Sequence, residues 1–280
     1  MEITATPVLT RDFRWNTTLT WSKNDNKILS LAEGADENQV ISTVGTASII
    51  GRVGGTTGDL WGYKLVRDPE GNVIIGDNGL PEQADEIEYV GTAYADWKAG
   101  WYNEFSYKGF KLGILLDGQV GGTIYSMSFH KMMEQGKLTQ SLNGRLPGTE
   151  YYMDANDPRI AAAGYTPQSG MYMIAPGVVR NDDGTFSPNT KVVTIESFYK
   201  EYYRRANVET NSFDASFLKI REIRLEYELP KKVLEKSPFS KASIAVYGRN
   251  LWCFTDYPLF DPEPVALDGS SMVSGIETGS

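Results

Sequence analysis

Residues able to do covalent or metal chemistry are scarce in this chain of 280 residues. It holds one histidine, His130, and one cysteine, Cys253. A histidine-based triad has a single candidate base and no motif to orient it; His130 is expected in an exposed loop. A zinc site of His and Cys ligands is out of reach. Cys253 sits in an alternating apolar pattern and reads as an inert small side chain that can form no intrachain disulfide. Oxygen ligands are more numerous. Yet Asp154-Ala-Asn-Asp157-Pro-Arg159 lacks the spacing and the glycine of an EF-hand loop, so Asp154 and Asp157, like Asp182 and Asp183, read as turn residues. A glycosidase needs two carboxylates held a few ångströms apart, and no spacing here brings two together. Gly51, Gly54, Gly55 and Gly58 fit neither GxxxxGK[ST] nor a strand-then-helix context, so no phosphate loop is expected. The reading is a non-enzyme with no catalytic residue, no metal and no cofactor.

Four tyrosines are the better candidates for ligand contact. Tyr151, Tyr152, Tyr165 and Tyr172 flank Asp154, Asn156 and Gln168, a mixture of aromatic faces and hydrogen-bonding groups that suits sugar rings. The competing reading is that these rings pack the loops that carry them.

The elements that position such loops are strands. From Ile223 the apolar residues Ile223, Leu225, Tyr227 and Leu229 alternate with Arg224, Glu226 and Glu228, a period of two. Pro230 stops that strand, and a partner returns over about 241–254. Phe13, Trp15, Thr17, Leu19 and Trp21 share one face of another strand, with Arg14, Asn16, Thr18 and Thr20 on the other. Residues 94–107 repeat the pattern: Trp97, Ala99, Trp101, Phe105 and Tyr107 oppose Lys98, Gly100, Tyr102, Glu104 and Ser106. Lys108-Gly109 turns the chain into a strand marked by Phe110, Leu112, Ile114 and Leu116. With 4–9 ahead of a turn at Arg11-Asp12, about six strands result. They are long for a soluble domain and suited to a bilayer.

Short turns at 10–12, 108–109 and about 230–240 alternate with long connections at 22–95, 126–212 and after 255. That asymmetry is typical of outer-membrane barrels. Within the long connections, Asp68-Pro69-Glu70-Gly71 reads as a tight turn between 65–66 and 73–75. The segments at 130–133 and 197–205 read as short helices. The net charge of −9 argues against a nucleic-acid partner. No apolar run reaches the length of a transmembrane helix, which leaves a barrel open because barrel strands are half polar. Six Trp, 16 Tyr and 11 Phe are ample for interfacial girdles. The opening residues show no signal peptide.

Two stretches carry a family resemblance. SFLKIREIRLEYELP, followed by VYGRNLWCFTDYPLFDPE, resembles the C-terminal strands of the SusC/RagA family of TonB-dependent outer-membrane proteins from Bacteroidota. Gly248, Asn250, Leu251, Thr255, Tyr257, Asp261, Pro262 and Glu263 fall in step with the family pattern, and Pro258-Leu259-Phe260 departs from it. A second block, Asp96 to Tyr125, matches at Asp96, Trp97, Gly100, Asn103, Phe105, Tyr107, Lys108, Gly109, Phe110, Asp117, Gly118, Gln119, Gly121, Gly122, Ile124 and Tyr125. DFRWNTTLTWSKNDNKILSL and the glycines after Gly51 are similar to family segments.

The resemblance implies an all-β fold, the C-terminal part of a transmembrane antiparallel β-barrel with long extracellular loops. Residues 1–280 would be a partial barrel of a parent with about 22 strands, with the plug, signal peptide and final aromatic-ended strand lying outside this chain. It further implies a SusD-like surface lipoprotein as lid and TonB–ExbB–ExbD as energy source through the plug. The cargo would be an oligosaccharide or peptide, and the location the bacterial outer membrane. Two alternatives stand beside it. A soluble β-sandwich carbohydrate-binding module would bury Trp15, Trp97 and Trp101 in a core, and a siderophore- or cobalamin-type TonB-dependent receptor would have no lipoprotein lid.

Overall fold

The structure is a computed structural model that describes residues 1–235, 238–259, 261–263, 265–268 and 271–278. In chain order its elements are β1 (Glu2–Leu9), β2 (Phe13–Ser22), β3 (Gln39–Val44), β4 (Ala47–Gly51), β5 (Asp59–Gly62), β6 (Glu88–Thr92), β7 (Trp97–Tyr107), β8 (Phe110–Val120), β9 (Thr123–Ser126), α1 (Met127–Glu134), α2 (Pro158–Ala162), β10 (Tyr172–Ile174), β11 (Val178–Arg180), β12 (Phe186–Pro188), β13 (Val192–Thr194), α3 (Ile195–Tyr202), β14 (Ser212–Asp214), β15 (Phe217–Glu228), α4 (Lys231–Leu234), β16 (Ser243–Phe254), β17 (Val265–Asp268), β18 (Ser271–Ser274) and β19 (Ile276–Glu277). The chain divides into two units, one of Met1–Asn26, Tyr94–Gly122 and Asp214–Glu263, the other of Lys27–Ala93, Thr123–Phe213 and Pro264–Ser280.

The first unit is a six-stranded sheet in the order β1-β2-β7-β8-β15-β16, antiparallel at every pairing. Six strands were expected, and the alternation read from the sequence is the alternation of its faces. Leu19 pairs with Trp101, Trp101 with Leu116, Leu116 with Ile220 and Ile220 with Trp252, which makes one apolar row across five strands. A second row runs Phe13, Tyr107, Phe110, Tyr227 and Ile244. The opposite face carries Glu104, Lys111, Glu226 and Arg249. Short connections join β1 to β2, β7 to β8 and β15 to β16. At the tightest of them Lys108 and Gly109 both take positive φ, 46° and 91°, as a two-residue hairpin turn requires. Among the described residues β1 and β16 each have a single partner, so the sheet is open at both edges.

The second unit contains more regular structure than its sequence advertises. The long connection read at 22–95 contains the antiparallel sheet β3-β4-β5-β6. Its strands have four to six residues, too short for alternation to stand out. Ala47, Ile49, Leu60, Tyr125, Met127, Val208 and Ile276 form its core. The tight turn at Asp68–Gly71 is present: the Asp68 carboxylate accepts the amides of Glu70 and Asn72 at 2.9 and 2.8 Å, and Gly71 has φ 90°. Both expected helices form. Ser126 and Thr194 cap α1 and α3 by accepting the amides of Phe129 and Ser197, which satisfies one otherwise orphaned donor each. The Glu277 carboxylate lies at the α1 N-terminus and accepts from Ser126 Oγ at 2.6 Å and Ser128 Oγ at 2.8 Å. An anion is favoured at that end of a helix. Ile276 and Glu277 pair in parallel with Tyr125 and Ser126.

Candidate functional site

His130 requires a correction. It is buried on α1, 5% exposed, and its Nδ1 lies 2.8 Å from the Tyr203 carbonyl oxygen. Phe129 and Tyr203 rings meet edge to face at 5.6 Å beside it. The residue was expected to be exposed because nothing local marks burial; a contact 73 residues away decides it. Its geometry is that of a core histidine. Cys253 lies half-buried in β16, as its pattern indicated. No cluster of three His, Cys, Asp or Glu that could hold a metal occurs among the described residues.

The aspartates flagged in the loops are turn formers. Asp154 accepts from the Asn156 amide and side chain and from Ser169, and the Asn156 amide leads in holding its carboxyl below the usual range. Asp157 caps α2 and pairs with Arg159 at 2.6 Å; these bonds lower its pKa to about 2. Asp183 accepts from Thr185, which lowers it likewise.

The four tyrosines separate into two sets. Tyr165 and Tyr172 stack on each other at 4.8 Å and 29°. They pack with Met153, Ile160 and Val192, and Tyr172 Oη donates to the Thr166 carbonyl at 3.0 Å. Tyr151 and Tyr152 are half-buried and make no ring contact with that pair among the described residues. Near Tyr151 lies the aromatic cluster of α3, in which Tyr199 and Tyr203 stack at 6.0 Å. Burial, with neighbouring Tyr202, Tyr199 and Tyr151, pushes the Tyr203 phenol above its ordinary range.

Two clefts open in the same unit. One of about 520 Å³ is lined by Glu134, Gln135, Arg145, Met171, Thr194, Glu196 and Lys200, with Lys200 and Glu196 paired at 2.6 Å. The other, about 430 Å³, includes Asp77, Asn78, Arg159 and Lys191. Both mix positive, negative and amide groups, so both offer donors and acceptors to a polar ligand.

In the sheet unit the chemistry lies on the polar face, and a β-bulge organises it. Arg221 is an extra residue of β15 relative to β8: Ile220 pairs with Leu116 and Glu222 with Leu115. A bulge re-aims side chains, and this one sets Arg221 against Asp117 at 2.6 Å and Glu263 at 2.5 Å. Lys219, 3% exposed, bonds Asp261 and Glu263, with its ammonium 4.4 Å from the Phe217 ring centre. Such an ammonium is costly to bury unless paired. Burial works to raise the Asp261 and Glu263 carboxyls, but bonding from Lys219 and the charge of Arg221 hold both below the ordinary range. Arg249 and Glu222, directly opposite on β16 and β15, pair at 2.8 Å.

The sequence blocks thus acquire physical roles. Asn250 takes a left-handed φ of 49° at the β16 irregularity. A Cβ on Gly248 would meet Leu251 at 2.7 Å. Thr255 Oγ1 donates to the Ser216 carbonyl and accepts the Tyr257 amide, while Asp261 and Glu263 hold Lys219. Of the departing Pro258-Leu259-Phe260, Phe260 lies outside the described residues. Lys219 and Arg221 were not singled out from sequence; the bulge between Ile220 and Glu222 puts them out of phase with the alternation that runs from Ile223.

The apolar face has an internal polar pair that is also satisfied. Thr17 and Asn103 sit opposite each other on β2 and β7. Trp101 Nε1 donates to Thr17 Oγ1 at 2.8 Å and Trp15 Nε1 to Asn103 Oδ1 at 3.0 Å. The rest of this face is hydrocarbon and aromatic, and much of it is exposed: Trp101 44%, Leu225 50%, Val246 73%.

No protein-family model matches the chain. It is 24% identical over 280 residues to TonB-dependent receptor P3 of Formosa agariphila, covering 91% of this chain and 24% of that protein. It is 23% identical over 284 residues to TonB-dependent receptor P26 of the same organism, covering 93% and 25%. Among solved structures it is similar to the RagAB peptide importer in its closed-closed state, with TM-score 0.55 and 15% identity over 93% of this chain and 26% of that one. The open-open state gives TM-score 0.54 and 14% identity over 93% and 25%. The chain therefore spans about a quarter of the length of the proteins it matches. Together these likenesses support a segment of a SusC/RagA-type TonB-dependent receptor.

Proposed function

We propose that this chain is the C-terminal barrel portion of a TonB-dependent importer in the bacterial outer membrane. The observation that carries the reading is the continuous exposed apolar face of the six-stranded sheet, banded by aromatics. Phe13, Tyr107, Phe110 and Tyr227 line the end with the short turns. Trp21, Trp97, Trp252 and Phe254 lie toward the end from which the long connections leave. The two bands are eight to ten residues apart along β2 and β7, roughly 26–33 Å of strand. At a tilt of about 40° that spans roughly 20–25 Å, the height of the apolar belt of an outer-membrane barrel. The charged opposite face would line the lumen, and the long connections would face the cell exterior.

In this reading, sequence flanking the chain supplies the remaining strands and the plug, because open sheet edges are not tolerated in hydrocarbon. The loop unit, with its two clefts and with Tyr151 and Tyr152, would contact cargo or lid. An oligosaccharide or peptide cargo, delivered by a SusD-like lipoprotein and released when TonB acts on the plug, fits donors and acceptors of both charges. Likeness to the RagAB importer favours such a lid over the lidless siderophore type. The soluble sandwich needs Trp15, Trp97 and Trp101 in a core, yet Trp97 and Trp101 are 37% and 44% exposed and Trp15 is only half-buried.

The test is to tag the full receptor in its host and isolate it from outer-membrane fractions. The expected result is recovery there with a surface lipoprotein, and loss of growth on oligosaccharides or peptides when the gene is deleted. Recovery from the periplasm or medium as a soluble protein would overturn the reading.

A further inference from the structure

The apolar face of the sheet is not uniformly filled. Ala99 on β7 pairs with Gly118 on β8, and Gly118 with Leu218 on β15. The pairs on either side are large, Trp97 with Val120 and Trp101 with Leu116. Two small residues in register between two larger pairs leave a depression, seen as a cavity of about 270 Å³ lined by Trp97, Ala99, Trp101, Leu116, Gly118 and Leu218 among others. Trp97 and Trp101 stand four residues apart, about 13 Å along the strand, with Ala99 as the floor midway between them. Gly118 keeps that floor low: a Cβ there would lie 3.0 Å from the Phe217 carbonyl oxygen and 3.6 Å from Leu218 Cδ1. Glycine inside a strand often marks close approach of a ligand or of another backbone, and here the near backbone is that of β15.

We propose that this depression is a binding site for one acyl chain of an outer-leaflet membrane lipid, held between the two indoles. The inference rests on the membrane reading above, which makes hydrocarbon the medium in contact with this face. Three observations select an acyl chain. The site is continuous with the exposed apolar face, so its occupant enters from the hydrocarbon. It sits at the end of the sheet from which the long connections leave, hence in the outer leaflet. It is walled by tryptophans, whose rings favour the level where acyl chains meet headgroups. Each methylene that the depression shelters adds its own dispersion contacts, which a flat lipid-facing surface does not offer.

The experiment uses the full receptor, purified in mild detergent and supplied with lipid A, the acylated anchor of the outer leaflet, as probe. Retained lipid is read by native mass spectrometry as detergent washing proceeds. Ala99→Leu raises the floor, Trp97→Ala removes a wall, and Leu225→Ala alters the same face elsewhere. The expected result is one lipid retained by wild type and Leu225→Ala, with at least a fivefold reduction in both Ala99→Leu and Trp97→Ala. Equal retention in all four proteins, or none in wild type, would overturn the proposal. Failure of the membrane reading shows separately, as absence of the receptor from the outer-membrane fraction before any lipid is added.

Discussion

Replacing Lys219 with methionine removes the ammonium that ties Asp261 and Glu263 to the polar face while nearly conserving volume. Removing one member of a buried ion pair costs about 3–5 kcal/mol, because its partners are left uncompensated. Two features reduce that figure here. Asp261 is largely open to solvent, and Arg221 continues to bond Glu263. A loss of roughly 2–3 kcal/mol is therefore expected, concentrated on the segment after β16 and not on the whole sheet. Each 1.4 kcal/mol is about tenfold in an equilibrium, so the Glu263 amide, which donates to Asp261 Oδ1 at 2.9 Å, should exchange about 30–150-fold faster. Hydrogen exchange read by mass spectrometry on the full receptor measures this directly. The pH dependence has a defined sign. Both carboxyls are held below their ordinary values, so the stabilisation is present at neutral pH and lost on acidification below the usual carboxylate range. Unchanged exchange in Lys219→Met at neutral pH, or protection that grows on acidification, would refute the role given to Lys219 in holding Asp261 and Glu263.

Other outcomes follow from the same geometry. Gly109→Ala should destabilise the β7–β8 hairpin by about 1 kcal/mol or more, since a side chain is strained at φ 91° and its Cβ would lie 3.2 Å from the Glu228 carbonyl oxygen; slower assembly of the folded receptor on gels would show it. Tyr172→Ala should loosen the stacked pair and make residues 151–175 more susceptible to protease, whereas Tyr152→Ala should leave protease resistance intact and lower cargo uptake. His130→Ala should cost about 1–3 kcal/mol through the lost bond to the Tyr203 carbonyl, seen as earlier thermal loss of loop protease resistance.

Much of the sheet was legible because a period of two needs no tertiary information. Phe13 to Trp21 and Trp97 to Tyr107 show their faces directly, and Lys108-Gly109 shows its turn. What escaped reading has particular causes. The bulge at Arg221 shifts the phase of β15 by one residue, so the apolar residues Ile220 and Ile223, three apart, share one face, and adjacent Arg221 and Glu222 share the polar one. The β3–β6 sheet is made of strands too short for alternation to be diagnostic. The environment of His130 is set by Tyr203, far along the chain. The stacking of Tyr165 on Tyr172 depends on how two loops fold back, which no local pattern records.

The central claim is that one face of the sheet meets hydrocarbon and the other meets water. Ile114 and Leu115 are neighbours on β8 that point to opposite faces: Ile114 pairs with Asn103 and Ile223, Leu115 with Tyr102 and Glu222. Comparing Ile114→Arg with Leu115→Arg in the full receptor, by unfolding in bilayers, tests the claim most directly. The account expects Ile114→Arg to cost about 2–4 kcal/mol, as arginine does near the bilayer midplane, and Leu115→Arg to cost less than about 1 kcal/mol because it joins an already charged face. Equal costs, or a larger cost at Leu115, would contradict it.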